Sequence, residues 1–317
     1  MNVLVTGGCG FVGSALTPAL LDAGHDVTVV DTMWFGNFLA PHPRLKIHTA
    51  NVTDTDAVPM DGIDVIIHLA NIANDPTVEL SPVLSWEVNV LAAMQLAERA
   101  IAHGVRQFVF ASSGSVYGVK EEEQVTEELS LVPISAYNKT KMIAERVLLS
   151  YADRLRVHCV RPATVCGLST RMRLDLSVNM LTMQAVKNRR ITVFGGAQVR
   201  PNIHIDDMVA TYLHFLDRDI PSGCYNAGFE NLSLMTIAEL VRSQADAEIV
   251  VTASNDPRSY RLNSDKLLAT GFRPRHTVRD AIREVSDAIT SGRLRDEERW
   301  YNIKWMKHVV ESELRPA

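Results

Sequence analysis

The chain has 317 residues, of which 46% are hydrophobic, 22% charged and 6% aromatic. That length suits two domains or one large α/β unit with an appended lobe, and the composition excludes disorder, collagen-like repeats and coiled coil. A formal net charge of −5 argues against nucleic acid as a partner, because phosphate-backbone binding needs a basic face.

The first two-thirds of the chain alternates short β-branched runs with longer helical patterns, the signature of a parallel sheet covered on both faces. The patterning predicts strands at 2–6, 26–31, 45–49, 64–69, 107–112 and 156–161, with helices at 12–23, 82–103 and 136–151 between them. After Gly167 the rhythm changes to a helix at 178–187, a strand at 191–194, a helix at 208–216 and smaller elements broken by Gly and Pro. The fold expected is a doubly wound α/β sheet with a smaller C-terminal α/β lobe for substrate. Residues 1–168, with 203–228 returning to them, form the first unit; 169–202 and 229–317 form the second. Trp300, Tyr301 and Trp305 crowd the C-terminal stretch, which is expected to dock on its own chain. No apolar run reaches the ~18 residues of a membrane span and no basic stretch precedes the apolar N-terminus, so cytoplasmic residence is expected. Cys9, Cys159, Cys166 and Cys224 are too few and scattered for a disulfide framework, and the ten histidines lack zinc-ligand spacing, so no metal is expected.

Strand 2–6 runs straight into Thr6-Gly7-Gly8-Cys9-Gly10-Phe11-Val12-Gly13, with a helix to follow. Gly7 permits the tight turn, Gly10 lets backbone approach a pyrophosphate, and Gly13 allows close helix–strand packing. Backbone N–H groups at Phe11 and Val12 then face an anion at a helix N-terminus. Asp31 ends the second strand, where a carboxylate accepts from both ribose hydroxyls of NAD and repels the 2′-phosphate of NADP. The cofactor expected is NAD. Asn51 and Val52 fall beside its adenine, and Leu69 and Ala70 beside its central ribose.

Tyr137 and Lys141 stand four residues apart at the start of a helix, on one face. Bringing a tyrosine from its ordinary pKa near 10 to about 7 needs roughly 4 kcal/mol of anion stabilisation, which Lys141 and a nicotinamide cation together are expected to supply. Tyr137 would then act as general base. Ser113 lies in Ala111-Ser112-Ser113-Gly114-Ser115-Val116-Tyr117-Gly118, at the carboxyl edge of the sheet where such folds bind ligands, and is placed to bridge Tyr137 and a substrate oxygen.

With these motifs the chain resembles the extended short-chain dehydrogenase/reductases, in the branch of nucleotide-sugar epimerases and dehydratases, over nearly its full length. Besides the glycine turn, Asp31 and the Ser-Tyr-Lys set, the resemblance rests on His68-Leu69-Ala70, Asn89, Arg161-Pro162, Val165, Gly167, Asn179, Val193-Phe194-Gly195-Gly196, Arg200 and His204-Ile205-Asp206-Asp207. It implies a Rossmann fold, catalytic Ser113, Tyr137 and Lys141, a tightly held NAD touched also by Asn89 and Val165, and a nucleoside diphosphate sugar as substrate. The sugar nucleotide would meet Ser115, Asn179, Arg200 and Arg258, the last within Asp256-Pro257-Arg258; helices 82–103 and 136–151 would pair in a homodimer.

Dehydratases of this branch follow the hydroxyl residue with Asp-Glu, whereas this chain has Gly114 and Ser115. Decarboxylating relatives carry Glu at the Ser115 position, so oxidation at C4 with return of hydride, which is epimerase chemistry, is the expected outcome. Asn51 stands where the family has Asp, and Cys166 where it has Tyr. Arg171 and Arg173 enter the expected sugar cleft, either to read an anionic or extended sugar or to pair with acids of the lobe; the stretch resembles enzymes acting on nucleotide-linked heptoses. A 4-dehydrogenase or ketoreductase, a dehydratase, and a noncatalytic NAD-sensing protein remain alternatives.

Overall fold

A computed structural model describes residues 1–254 and 259–313. Its centre is a seven-stranded parallel sheet built from β1 (Asn2–Thr6), β2 (Asp26–Asp31), β3 (Leu45–Thr49), β4 (Val65–His68), β5 (Gln107–Ala111), β6 (Arg156–Pro162) and, after three strands of the second lobe, β10 (Gly223–Ala227). The spatial order is β10-β6-β5-β4-β1-β2-β3. Chain direction along the sheet reverses between β1 and β4, and the crevice above their carboxyl ends is where doubly wound sheets hold ligands. The six expected strands are present, with ends shifted by a residue at three of them. The seventh, Gly223–Ala227, went unread because a Gly-Cys-Tyr-Asn-Ala run has little of the β-branched signal by which buried strands are recognised.

The strands are apolar on both faces because helices cover both. On one side α1 (Gly13–Asp22) packs with Leu16 and Leu20 against Val3, Val5, Val27 and Val29. On the other, α2 (Asp75–Val78), α3 (Pro82–Trp86), α4 (Ala92–Ala102) and α5 (Ala136–Leu149) cover Leu4, Ile66, Phe108 and Val157. The single helix expected at 82–103 divides: between α3 and α4 the five residues Glu87–Leu91 wind as one π turn. One extra residue there rotates Asn89 inward, where it is buried.

The second lobe begins beyond β6. Strands β7 (Thr164–Cys166), β9 (Val199–His204) and β11 (Glu230–Ser233) form a three-stranded sheet, and β8 (Arg190–Phe194) pairs in parallel with β12 (Glu248–Thr252). Helices α6 (Ser177–Asn188), α8 (Leu234–Arg242) and α10 (Val278–Thr290) bury Val178, Leu181, Ile237, Val241 and Ile282 around them. Between β9 and β10, α7 (Ile205–Asp217) returns to the first core, and the short α9 (Asp265–Ala269) lies beside β10.

The C-terminal helix α11 (Asn302–Glu313) departs from the expected division. Met306 and Val309 are buried in the same cluster as Ile72, Val78 and Val88 of the cofactor-side unit, and the Trp305 indole donates to the Trp34 carbonyl at 2.5 Å. Apolar side chains on one face of the tail find their partners on the first unit, while Asn302 at its start is bonded to Arg171 of the lobe.

Candidate active site

One cavity of about 380 Å³ runs along the carboxyl ends of β1, β4 and β5 into the gap between the lobes. Its floor at one end is the glycine turn. Gly7 has φ +74°, and a Cβ there would stand 2.6 Å from the Ala70 nitrogen; at Gly13 a Cβ would meet the Gly7 carbonyl at 2.4 Å. The turn therefore tolerates no side chain at either position, and the N-terminus of α1 sits directly on the sheet. Asp31 lines the same end, its two oxygens accepting from the Cys9 and Met33 amides at 2.9 and 2.7 Å. Burial raises its pKa against those bonds and the nearby Arg171 charge, which lower it. Phe11, Val12, Asn51, Val52, Leu69, Ala70 and Val165 line the cavity as expected.

The reactive groups meet at the other end. Ser135 caps α5, accepting from the Asn138 amide at 3.1 Å, which places Tyr137 in the first helical turn with Lys141 one turn on. Ser113 follows β5 and stands beside the Tyr137 side chain, both lining the cavity, close enough for its hydroxyl to lower the phenol's pKa. Its hydroxyl also lies 2.7 Å from that of Ser115, which in turn donates to Asn138 Oδ1 at 2.5 Å. Lys141 is 1% exposed; its ammonium donates to the Ala111 carbonyl at 2.8 Å, stands 4.8 Å above the Phe110 ring and lies 6.0 Å from the centre of the Tyr137 ring.

Burial works against a charged form at both groups. Burial pushes Tyr137 up to about 12, against Arg173 and the Ser113 hydrogen bond, which both lower it. Burial also drops Lys141 to about 7, opposed by Glu145. A phenolate at Tyr137 therefore calls for positive charge beyond that of the protein's own groups, such as a nicotinamide cation would bring.

Beneath the site lies a buried polar column. Glu145 of α5 accepts two bonds from Arg161 of β6, at 2.9 and 2.7 Å, and one from Ser112; Arg161 also donates to the Tyr117 hydroxyl, and Tyr117 to Asn226 of β10. It fixes α5 to the sheet.

Several residues expected to touch ligand do other work. The Asn89 amide is used by the Ile72 amide and carbonyl and by Thr140, so it braces the cavity wall instead of facing it. Asn179 is fully buried, accepting from the Gly167 amide and donating to the Gly167 and Arg173 carbonyls. Arg200 lies on β9, donates to the Val199 carbonyl and does not line this cavity. Arg258 lies outside the described residues. Arg173 binds Asp175 through two bonds of 2.9 and 2.8 Å, as the ion-pair alternative had it, while its charge still reaches Tyr137. Arg171 lines the same cavity, over the Phe35 ring and near both Arg173 and Asp31.

Sequence reasoning passed over Trp34, Phe35 and Asn302, which line the cofactor end, and Tyr212 and Tyr260, which line the cavity. The aromatic pair three residues past Asp31 was the available signal for the first two.

A glycine cradle that excludes Cβ atoms, a carboxylate at the end of β2 and a Ser-Tyr-Lys set in one cleft fit a dinucleotide-dependent α/β protein of the extended short-chain dehydrogenase/reductase class. The model of the NAD dependent epimerase/dehydratase family matches residues 3–228, and the chain belongs to that family. It is 28% identical to the UDP-glucose 4-epimerase of Corynebacterium glutamicum, over 92% of this chain and 96% of that one. It is 33% identical to a Bacillus subtilis protein named an uncharacterized UDP-glucose epimerase, over 76% of this chain and 81% of the other. Among solved structures, MoeE5 in complex with UDP-glucuronic acid and NAD superposes with a TM-score of 0.82 at 26% identity, covering 92% of this chain and all of that one. The Thermus thermophilus UDP-glucose 4-epimerase complex with NAD gives 0.80 at 26% identity, covering 92% of this chain and 99% of that one. The residues present fit NAD, the cofactor of the family. No helix among the described residues is long and apolar enough to cross a membrane.

Proposed function

We propose that the protein is an NAD-dependent nucleotide-sugar epimerase that inverts C4 through a transient 4-keto sugar. One observation carries the choice of reaction: among the described residues lining the cavity, Asp31 is the only carboxylate, and it stands at the cofactor end. Elimination of water needs an acid and a base beside the sugar, and Gly114 and Ser115 occupy those places. What remains at the reactive end is a hydroxyl, a phenol and an ammonium, which suit carbinol oxidation and ketone reduction. The named relatives support the substrate class, since the Corynebacterium glutamicum protein is a UDP-glucose 4-epimerase and MoeE5 carries UDP-glucuronic acid.

NAD supplies the hydride acceptor and donor when bound. Tyr137 takes the proton of the C4 hydroxyl as its general base and later returns it. Ser113 holds the same oxygen through its hydroxyl, and Lys141 steadies the phenolate and would hold the nicotinamide ribose. Ser115, tied to Asn138, borders the sugar. Residues 1–168 with 203–228 hold the cofactor and the second lobe closes over the sugar, in a cytoplasmic homodimer.

Tyr137→Phe removes the proton acceptor without changing the ring. Turnover on UDP-glucose and UDP-galactose should fall by about 10²–10⁴-fold, while bound NAD, measured after denaturation, stays at the wild-type level. Near wild-type turnover by that variant would overturn the role. Lasting growth of NADH absorbance on substrate would instead identify a dehydrogenase.

A further inference from the structure

Arg171 is 2% exposed. Its guanidinium lies 3.9 Å from the centre of the Phe35 ring, Nη2 donates to Asn302 Oδ1 at 2.7 Å, and Nη1 reaches the Met172 carbonyl at 3.4 Å. Nε is buried with no partner. Among the described residues no carboxylate stands within ion-pair distance of it, and the nearest acid in sequence, Asp175, is occupied by Arg173. A buried cation without a counter-charge is strongly disfavoured unless a ligand brings one. Burial and the neighbouring Arg173 lower its pKa to about 9, against the more distant charges of Asp175 and Asp31, which raise it.

Its surroundings say which anion fits. Its backbone amide donates to Ser14 in the first turn of α1, and its side chain lines the same cavity as Cys9, Gly10, Phe11 and Asp31. The far side of that wall is α11, which supplies Asn302 and is fastened to the loop after β2 by Trp305.

We propose that Arg171 is a ligand for a diphosphate held at the glycine turn, that of the dinucleotide, and that α11 is a strap which keeps Arg171 and Phe35 over it. A planar guanidinium already oriented by ring stacking and an amide is suited to two phosphate oxygens. The strap must loosen before the dinucleotide can leave. The proposal rests on the dinucleotide reading of the cavity and not on what happens to the sugar.

The test measures cofactor retention, which is independent of turnover. Arg171→Met, Arg171→Lys and Trp305→Ala are compared with wild type for NAD per chain after gel filtration, dissociation constant by calorimetry on stripped protein, and release rate into excess labelled NAD. Losing one charge-assisted contact should weaken NAD binding by roughly 10- to 100-fold in Arg171→Met, with part of the loss restored in Arg171→Lys. Trp305→Ala should release NAD faster, with Arg171 still present. Circular dichroism shows which variants fold; if Arg171→Met does not, Arg171→Lys carries the test by binding NAD more weakly than wild type. Wild-type affinity in the folded Arg171 variants, with a raised KM for the nucleotide sugar, would move Arg171 to the substrate's diphosphate and overturn the proposal. Unchanged release from Trp305→Ala would overturn the strap.

Discussion

Tyr137 and Lys141 sit in opposition to their task when the cofactor is away: the phenol is held near 12 and the ammonium near 7. Positive charge brought into the cleft favours phenolate, so adding NAD to stripped protein should lower the midpoint of the phenolate ultraviolet difference signal, and Tyr137→Phe should abolish that change. A midpoint indifferent to NAD would sink this account. Lys141 has a second consequence. A cation whose pKa is depressed on folding burdens the native state fully below about 7, and the burden fades as pH rises toward 10.5. Lys141→Met should thus raise stability by about 1–3 kcal/mol at pH 6, with the gain shrinking toward pH 10, while turnover is lost; denaturant melts at the two pH values would show it. At this scale Gly7, Gly10, Asp31 and the Tyr137–Lys141 spacing were legible, because each answers a local backbone or helical rule. Asn89, Asn179 and Arg171 were not: whether an amide or guanidinium faces ligand depends on which backbone groups from distant segments reach it first.

Among the elements, the helix over 82–102 shows how packing overrides a clean pattern. Its apolar periodicity foretold a continuous helix, yet the π turn at Glu87–Leu91 brings Asn89 to Ile72 and Thr140, joining the loop after β4 to the catalytic helix. Asn89→Ala leaves the Ile72 amide unsatisfied and should cost about 1–3 kcal/mol, with weaker NAD retention, measured by thermal melts with and without cofactor. Unchanged melts and retention would show that the bridge is dispensable. The C-terminal helix was foreseen to dock on its own chain, and it does; its seat on the cofactor side was hidden because a sequence does not say which of two apolar surfaces an amphipathic segment will choose.

At the scale of the molecule, the doubly wound sheet was readable since six strands announce themselves by β-branched runs, and the switch between β1 and β4 then dictates where ligand lies. The proposed homodimer, expected from the pairing of helices 82–103 and 136–151, would cover Val83, Trp86 and Leu91, which are exposed on the first of these segments. Light scattering should give twice the chain mass, and Val83→Glu with Leu91→Glu should shift it to one; a wild-type mass of one chain would exclude that pairing.

The widened winding at Glu87–Leu91 sets a rule on insertions and deletions. Dropping one residue there would let the coil revert to its regular pitch with Leu96 and Ala97 still in the core they now fill, but Asn89 would lose the inward swing that the extra residue gives it. A one-residue deletion there would spare the core and break the link from Asn89 to Ile72 and Thr140.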